Sequence, residues 1–111
     1  MKCSECELEA KQEYEGRNLC SRCLLYNLIQ HDARSGDETG HRILDLASSY
    51  SHDLLRQKDF VACIVEVAET AVKSEKLIIS MPEAGKIAKK WRIDDPLVHE
   101  AAVQLGYALA S

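Results

Sequence analysis

Aromatic side chains are scarce in this 111-residue chain, 5% of the total. A core must therefore be assembled mainly from Leu, Ile, Val and Ala. Proline (two) and glycine (five) are also few. β-Branched runs are short as well, so helix is favoured over sheet. No apolar run approaches the roughly 18 residues a membrane span requires. Lys2 is followed at once by Cys3, without the apolar stretch of a signal peptide. These absences predict a soluble, intracellular protein, cytoplasmic and without a membrane partner.

A surplus of positive charge is missing too. Fourteen Lys and Arg stand against eighteen Asp and Glu, a formal charge of −4 with histidines neutral. Four thiolates around one divalent zinc would lower this to about −6. Non-specific nucleic-acid binding displaces counterions with clustered Lys and Arg, and the chain has no global excess for it. The acidic balance favours a protein partner and places nucleic acid second. Hydrophobic residues are 46% and charged residues 29%, an ordinary globular composition rather than a disordered one.

Cysteine is what the chain does have. Cys3, Cys6, Cys20 and Cys23 form C-x2-C-x13-C-x2-C. Two residues between cysteines let a tight turn aim both sulfurs at one ion, and two such turns complete a tetrahedron. A disulfide framework would be reduced in the cytosol. A thioredoxin-like redox pair needs a βαβ setting that neither pair has. Structural Zn2+ is the leading reading, ahead of redox use and of an iron–sulfur cluster. Between the pairs, Tyr14-Glu15-Gly16-Arg17-Asn18 reads as a hairpin turn between strands over about 10–14 and 17–20. After Cys23, Leu24, Leu25, Leu28 and Ile29 fall on one face of a helix. The fifth cysteine, Cys63, lies in Phe60-Val61-Ala62-Cys63-Ile64-Val65 and reads as a buried helical thiol.

Knuckle, hairpin and a second knuckle opening a helix is the layout of a treble-clef zinc finger. The octet LCSRCLLY (19–26) resembles the second half of GATA-type fingers, LCNACGLY. The resemblance covers about 25 residues and implies the fold and the ligands Cys3, Cys6, Cys20 and Cys23. It departs in the spacer, where Glu7, Glu9, Glu13 and Glu15 stand in place of a Trp and several arginines. The tail after the helix is not basic, so the resemblance does not carry over DNA recognition.

The rest of the chain has helical spacing. RSGDETG (34–40) reads as a linker. Ile43, Ala47, Tyr50 and Leu54 form one stripe, Gln57-Lys58-Asp59 a break with Asp59 as N-cap, and Phe60, Ile64, Val67 and Ala71 a second stripe. This predicts an αα-hairpin over 41–77. Ser80-Met81-Pro82-Glu83 has capping-box spacing. Asp95 is expected to cap a last helix with Pro96 at its first position and Leu97, Val98, Ala101, Ala102, Leu105 and Leu109 on its buried face. The pair over 81–110 resembles the bacterial and archaeal helix-turn-helix, with Ala88, Ile93 and Val98 packing at the turn. Asp94, Asp95, His99 and Glu100 occupy the positions where a DNA reader carries donors. Lys86, Lys89, Lys90 and Arg92 form a basic cluster, the candidate nucleic-acid contact.

Catalytic constellations are absent. His31, His41, His52 and His99 lie in separate segments without paired metal-ligand spacing, and there is no phosphate-binding glycine loop or nucleophile elbow. Four cysteine ligands leave a zinc ion no open position. The sequence therefore predicts a mainly α, non-enzymatic chain. A four-cysteine treble-clef finger (1–33) and a linker (34–40) precede a small helical bundle (41–111). The expected role is a protein-interaction module or regulator, with a DNA-binding regulator using 81–110 as the alternative.

Overall fold

The computed structural model of the chain describes residues 1–110. Among them run, in order, β1 (Gln12–Tyr14), β2 (Arg17–Leu19), α1 (Ser21–Arg34), α2 (Glu38–Tyr50), α3 (Leu54–Val72), β3 (Ile78–Ser80), α4 (Met81–Trp91), α5 (Asp95–Gln104) and β4 (Ala108–Ala110). The protein is mainly α, with a short antiparallel hairpin ahead of the first helix. It divides into two units, Met1–Lys58 and Asp59–Ser111, which part within α3.

In the first unit β1 and β2 pair antiparallel, with Gln12 opposite Leu19 and Tyr14 opposite Arg17. The turn between them has φ of 48° at Glu15 and 79° at Gly16. Two successive positive φ angles mark a type I′ turn, whose twist matches that of the strands. Gly16 adopts this freely, whereas Glu15 does so against its own Cβ. Cys20 then caps α1 from an extended conformation. Of the expected apolar face, Leu24, Leu25 and Ile29 are only half-buried and Leu28 is 41% exposed. The fully buried residues of α1 are Cys23 and Ala33. The helix is anchored near its two ends, on the cysteine cluster and on α2, so the leucine stripe lies along the rim.

The stretch 34–40 is not a spacer. Only Ser35 to Asp37 separate α1 from α2, and the Asp37 carboxylate accepts the Gly40 N–H at 3.0 Å as the N-cap of α2. A Cβ at Gly40 would lie 3.3 Å from the Ala33 nitrogen and 3.4 Å from the Ile29 carbonyl oxygen. Glycine thus lets the two helix backbones touch. α1 packs closely against α2, and α4 against α5. The expected break at Gln57-Lys58-Asp59, with Asp59 as N-cap, is also absent: α3 runs through it. Its start is set earlier, where Ser51 Oγ accepts the Asp53 N–H and the Asp53 carboxylate accepts the Leu55 N–H, each at 3.0 Å. Polarity misleads at this point because Lys58 is buried, and none of the three residues breaks a helix.

In the second unit α3 buries Phe60, Ile64, Val67 and Ala71, with Val61 and Cys63 beside them. The spacing is that of one helical face. Burial pushes the Cys63 thiol up to about 12, with Glu66 adding to it, so it behaves as an apolar filler. β3 and β4 pair in parallel, Ile78 opposite Ala108 and Ser80 opposite Ala110, with α4 and α5 between them. This pair corrects the expectation of a final helix reaching 110. α5 ends at Gln104, and Gly106 at φ 92° turns the chain out of helix, so Leu109 lies in a strand. A short apolar run fits either period, and only the neighbouring strand decides it.

Ser80 caps α4 as its spacing predicts, accepting the Glu83 N–H at 3.2 Å, with Pro82 in the first turn. The N-cap of α5 is Asp94, without a side-chain cap bond, and Asp95 is its first residue. Ala88, Ile93 and Val98 are all buried around the turn. Among the described residues no helix is long and apolar enough to cross a membrane.

Candidate metal centre

Two local devices bring the four cysteines together. Lys2 and Glu9 form an antiparallel bridge, and the Cys3 N–H donates to the Leu8 carbonyl at 2.9 Å, closing a loop that carries Cys3 and Cys6. The Ser4 N–H donates to the Asn18 carbonyl at 2.8 Å, tying that loop to β2. Cys20 and Cys23 sit at the N-cap and in the first turn of α1. The four Sγ atoms all lie within 4.8 Å of one another, and those of Cys6 and Cys20 are 3.5 Å apart. A tetrahedral ion about 2.3 Å from each sulfur needs separations of about 3.8 Å. The residues fit: the cluster is placed to hold a metal ion and is compatible with zinc. Cys3, Cys20 and Cys23 are buried with Leu19, and Cys6, Tyr14 and Leu24 pack around them.

Backbone N–H groups are aimed at the sulfurs. Glu5 N–H donates to Cys3 Sγ and Cys23 N–H to Cys20 Sγ, each at 3.4 Å. Burial alone would raise the Cys3 thiol. The backbone groups at Cys20 and Glu5 outweigh it and bring Cys3 down to about 6. Cys20 and Cys23 go the other way, chiefly through burial. Four packed sulfurs cannot all carry charge alone. A divalent ion in place of their protons removes that conflict.

A second set of residues surrounds the ligands. Lys58 Nζ, with its side chain only 3% exposed, donates to Cys23 Sγ at 3.4 Å and to Glu5 Oε1 at 3.2 Å. Burial opposes its charge, but Glu5 and Cys23 hold it, and its pKa is raised overall. The Glu5 carboxylate also accepts from Asn27 Nδ2 at 3.0 Å and from Arg17. Burial would raise this carboxyl, but Asn27 and Lys58 together with Arg17 hold it below its usual range. Asn27 additionally donates to the Cys23 carbonyl at 2.7 Å, and Arg17 to Asn27 Oδ1 at 3.2 Å. This is outer-shell support for a metal site, orienting ligands and offsetting their charge. Beside it lies an open groove of about 400 Å³, lined by Glu5, Tyr26, Asn27, Gln30, Leu54 and Lys58.

Sequence reasoning missed this network. Glu5 lies inside the first Cys-x2-Cys and Asn27 one helical turn after Cys23, so both carried a local signal. Lys58 is 35 residues from Cys23 in sequence, and nothing local marks it. Elsewhere, Lys86, Lys89, Lys90 and Arg92 are all exposed, on α4 and just after it. Lys90 already donates to Glu66 at 2.8 Å and lies over the Trp91 ring. His31, His41 and His52 are exposed and His99 half-buried, and none joins the four-cysteine cluster. Comparisons of this chain with protein-family models, curated proteins and solved structures give no match.

Proposed function

We propose that this chain is a small zinc protein, acting as a protein-interaction module or regulator, in which zinc is structural. The observation that carries the reading is the set of four converging sulfurs with its outer shell of Glu5, Asn27, Arg17 and Lys58. Four thiolate ligands close a tetrahedron and leave no position for substrate, which favours a structural role over catalysis. A hairpin followed by a helix with the second cysteine pair at its N-cap and in its first turn supports a treble-clef finger. The interaction role is supported by Leu54, 51% exposed on the rim of the groove, and by Leu28, 41% exposed on α1. Elemental analysis should return one zinc per chain. Affinity purification should recover a protein whose capture is lost on chelation and with Leu54→Asp. A chain that folds and captures its partner without zinc would overturn the reading.

A DNA-binding regulator using α4 and α5 is the second reading. It is favoured by the burial of Ala88, Ile93 and Val98 at the turn and by the exposure of Lys86, Lys89 and Arg92. Against it, Asp94, Asp95 and Glu100 are exposed at the start of α5 and would face phosphates. Retention on duplex DNA should fall steeply with salt and vanish when the basic cluster is neutralised. No retention at low salt removes this reading.

A further inference from the structure

The four ligands are not equivalent. Cys3 Sγ accepts the Glu5 N–H, Cys20 Sγ the Cys23 N–H, and Cys23 Sγ the Lys58 ammonium. Among the described residues Cys6 Sγ has no N–H donor, and its polar contact is Cys20 Sγ at 3.5 Å. Cys6 is also the one ligand that is not buried. A hydrogen bond to a thiolate draws charge from the sulfur and lowers its nucleophilicity, while burial blocks approach. Both effects protect Cys3, Cys20 and Cys23, whereas Cys6 lacks such a donor and is only half-buried.

We infer that Cys6 is the reactive sulfur of this centre, the site at which soft carbon electrophiles add and from which the ligand set is opened. The inference rests on the metal reading above. With a maleimide, a Cys6 Sγ lone pair forms an S–C bond as the ring's C=C π bond breaks. The resulting carbanion takes a proton from water, leaving hydroxide, and nothing is oxidised or reduced. The thioether formed is neutral, so three thiolates remain and the metal is held more weakly. Lys58 fixes the direction of this asymmetry. Without its ammonium, Cys23 would lack a donor as Cys6 does, although it would remain buried.

The experiment uses the full chain, with zinc content measured first. Substoichiometric N-ethylmaleimide is added near neutral pH, the first adduct is located by peptide mapping, and zinc release is followed with a chromogenic chelator. Cys6 should react roughly five-fold faster than any other ligand, the effect expected of one missing hydrogen bond before exposure is added. Zinc should appear at the rate of the Cys6 adduct. A first adduct shared evenly, or led by Cys3, Cys20 or Cys23, overturns the inference. Cys6→His keeps a fourth ligand without the thiolate and should slow maleimide-driven zinc release roughly five-fold or more; an unchanged rate also overturns it. If that variant does not load zinc, the adduct map of the unaltered chain decides alone. Protein free of zinc at the start removes the metal reading and this inference together, whereas zinc-loaded protein labelled evenly removes only the inference.

Discussion

The two units bury different things. In Met1–Lys58 the buried residues are three of the four cysteines with Leu19, Ala33, Gly40, Ile43, Ala47 and a charged Lys58. Among the described residues of Asp59–Ser111 they are apolar throughout, including Phe60, Ile64, Val67, Ile79, Ile87, Ile93 and Val98. With so few large buried apolar side chains, burial offsets less of the first unit's chain entropy than of the second's. The first unit has instead four clustered sulfurs, placed to hold a metal ion, and charges arranged around them. The second depends on packing. The difference teaches that one short chain can use two separate sources of stability, and that they should fail under different treatments.

The largest effect should come from metal removal. Structural zinc contributes on the order of 10 kcal/mol to folding of finger-sized segments. Chelation should therefore collapse the amide spectrum of residues 1–58 while signals from Ile79, Ile87 and Val98 persist. Simultaneous loss of both sets would break the comparison. Next comes Ile64→Ala, which empties a fully buried position of the second unit and should cost about 2–5 kcal/mol. Urea unfolding monitored at Trp91 should report the loss, while zinc affinity should stay unchanged.

Lys58→Met tests the first unit's charge network without touching a ligand. It removes the donor to Cys23 and strands Glu5 with fewer partners. Chelator competition should show roughly 10- to 100-fold weaker zinc binding, the usual cost of an outer-shell loss. Unchanged affinity would mean that Lys58 only fills space. The smallest effect should be a gain. Glu15→Asn creates Asn-Gly in the type I′ turn, where Glu15 now sits at φ 48°, and should stabilise the first unit by about 0.5–1 kcal/mol. Thermal melting of the zinc-loaded chain would measure it.

Much of this was legible because it is local. The cysteine pairs, the Glu15-Gly16 turn, the Ser80 cap and the Ala88, Ile93 and Val98 packing each depend on residues a few positions apart, where spacing carries the information. The errors share one cause. Residues 57–59 looked like a break because Lys58 is polar, and its partners Glu5 and Cys23 lie far upstream. Leu109 looked helical because its partner in the neighbouring strand, Ile79, lies thirty residues earlier. The 34–40 stretch looked like a spacer because Gly40 marks a close helix approach as readily as a loop.

By itself the sequence determined that the chain is mainly helical and that Cys3, Cys6, Cys20 and Cys23 belong together, since helical period and knuckle spacing are properties of neighbouring residues. Only the tertiary structure decided that Lys58 lies against Cys23, that β3 pairs with β4, and that among the described residues Cys6 alone of the four cysteines has no N–H donor. Those are contacts between distant parts of the chain, and no local pattern encodes which distant side chain will fill a given place.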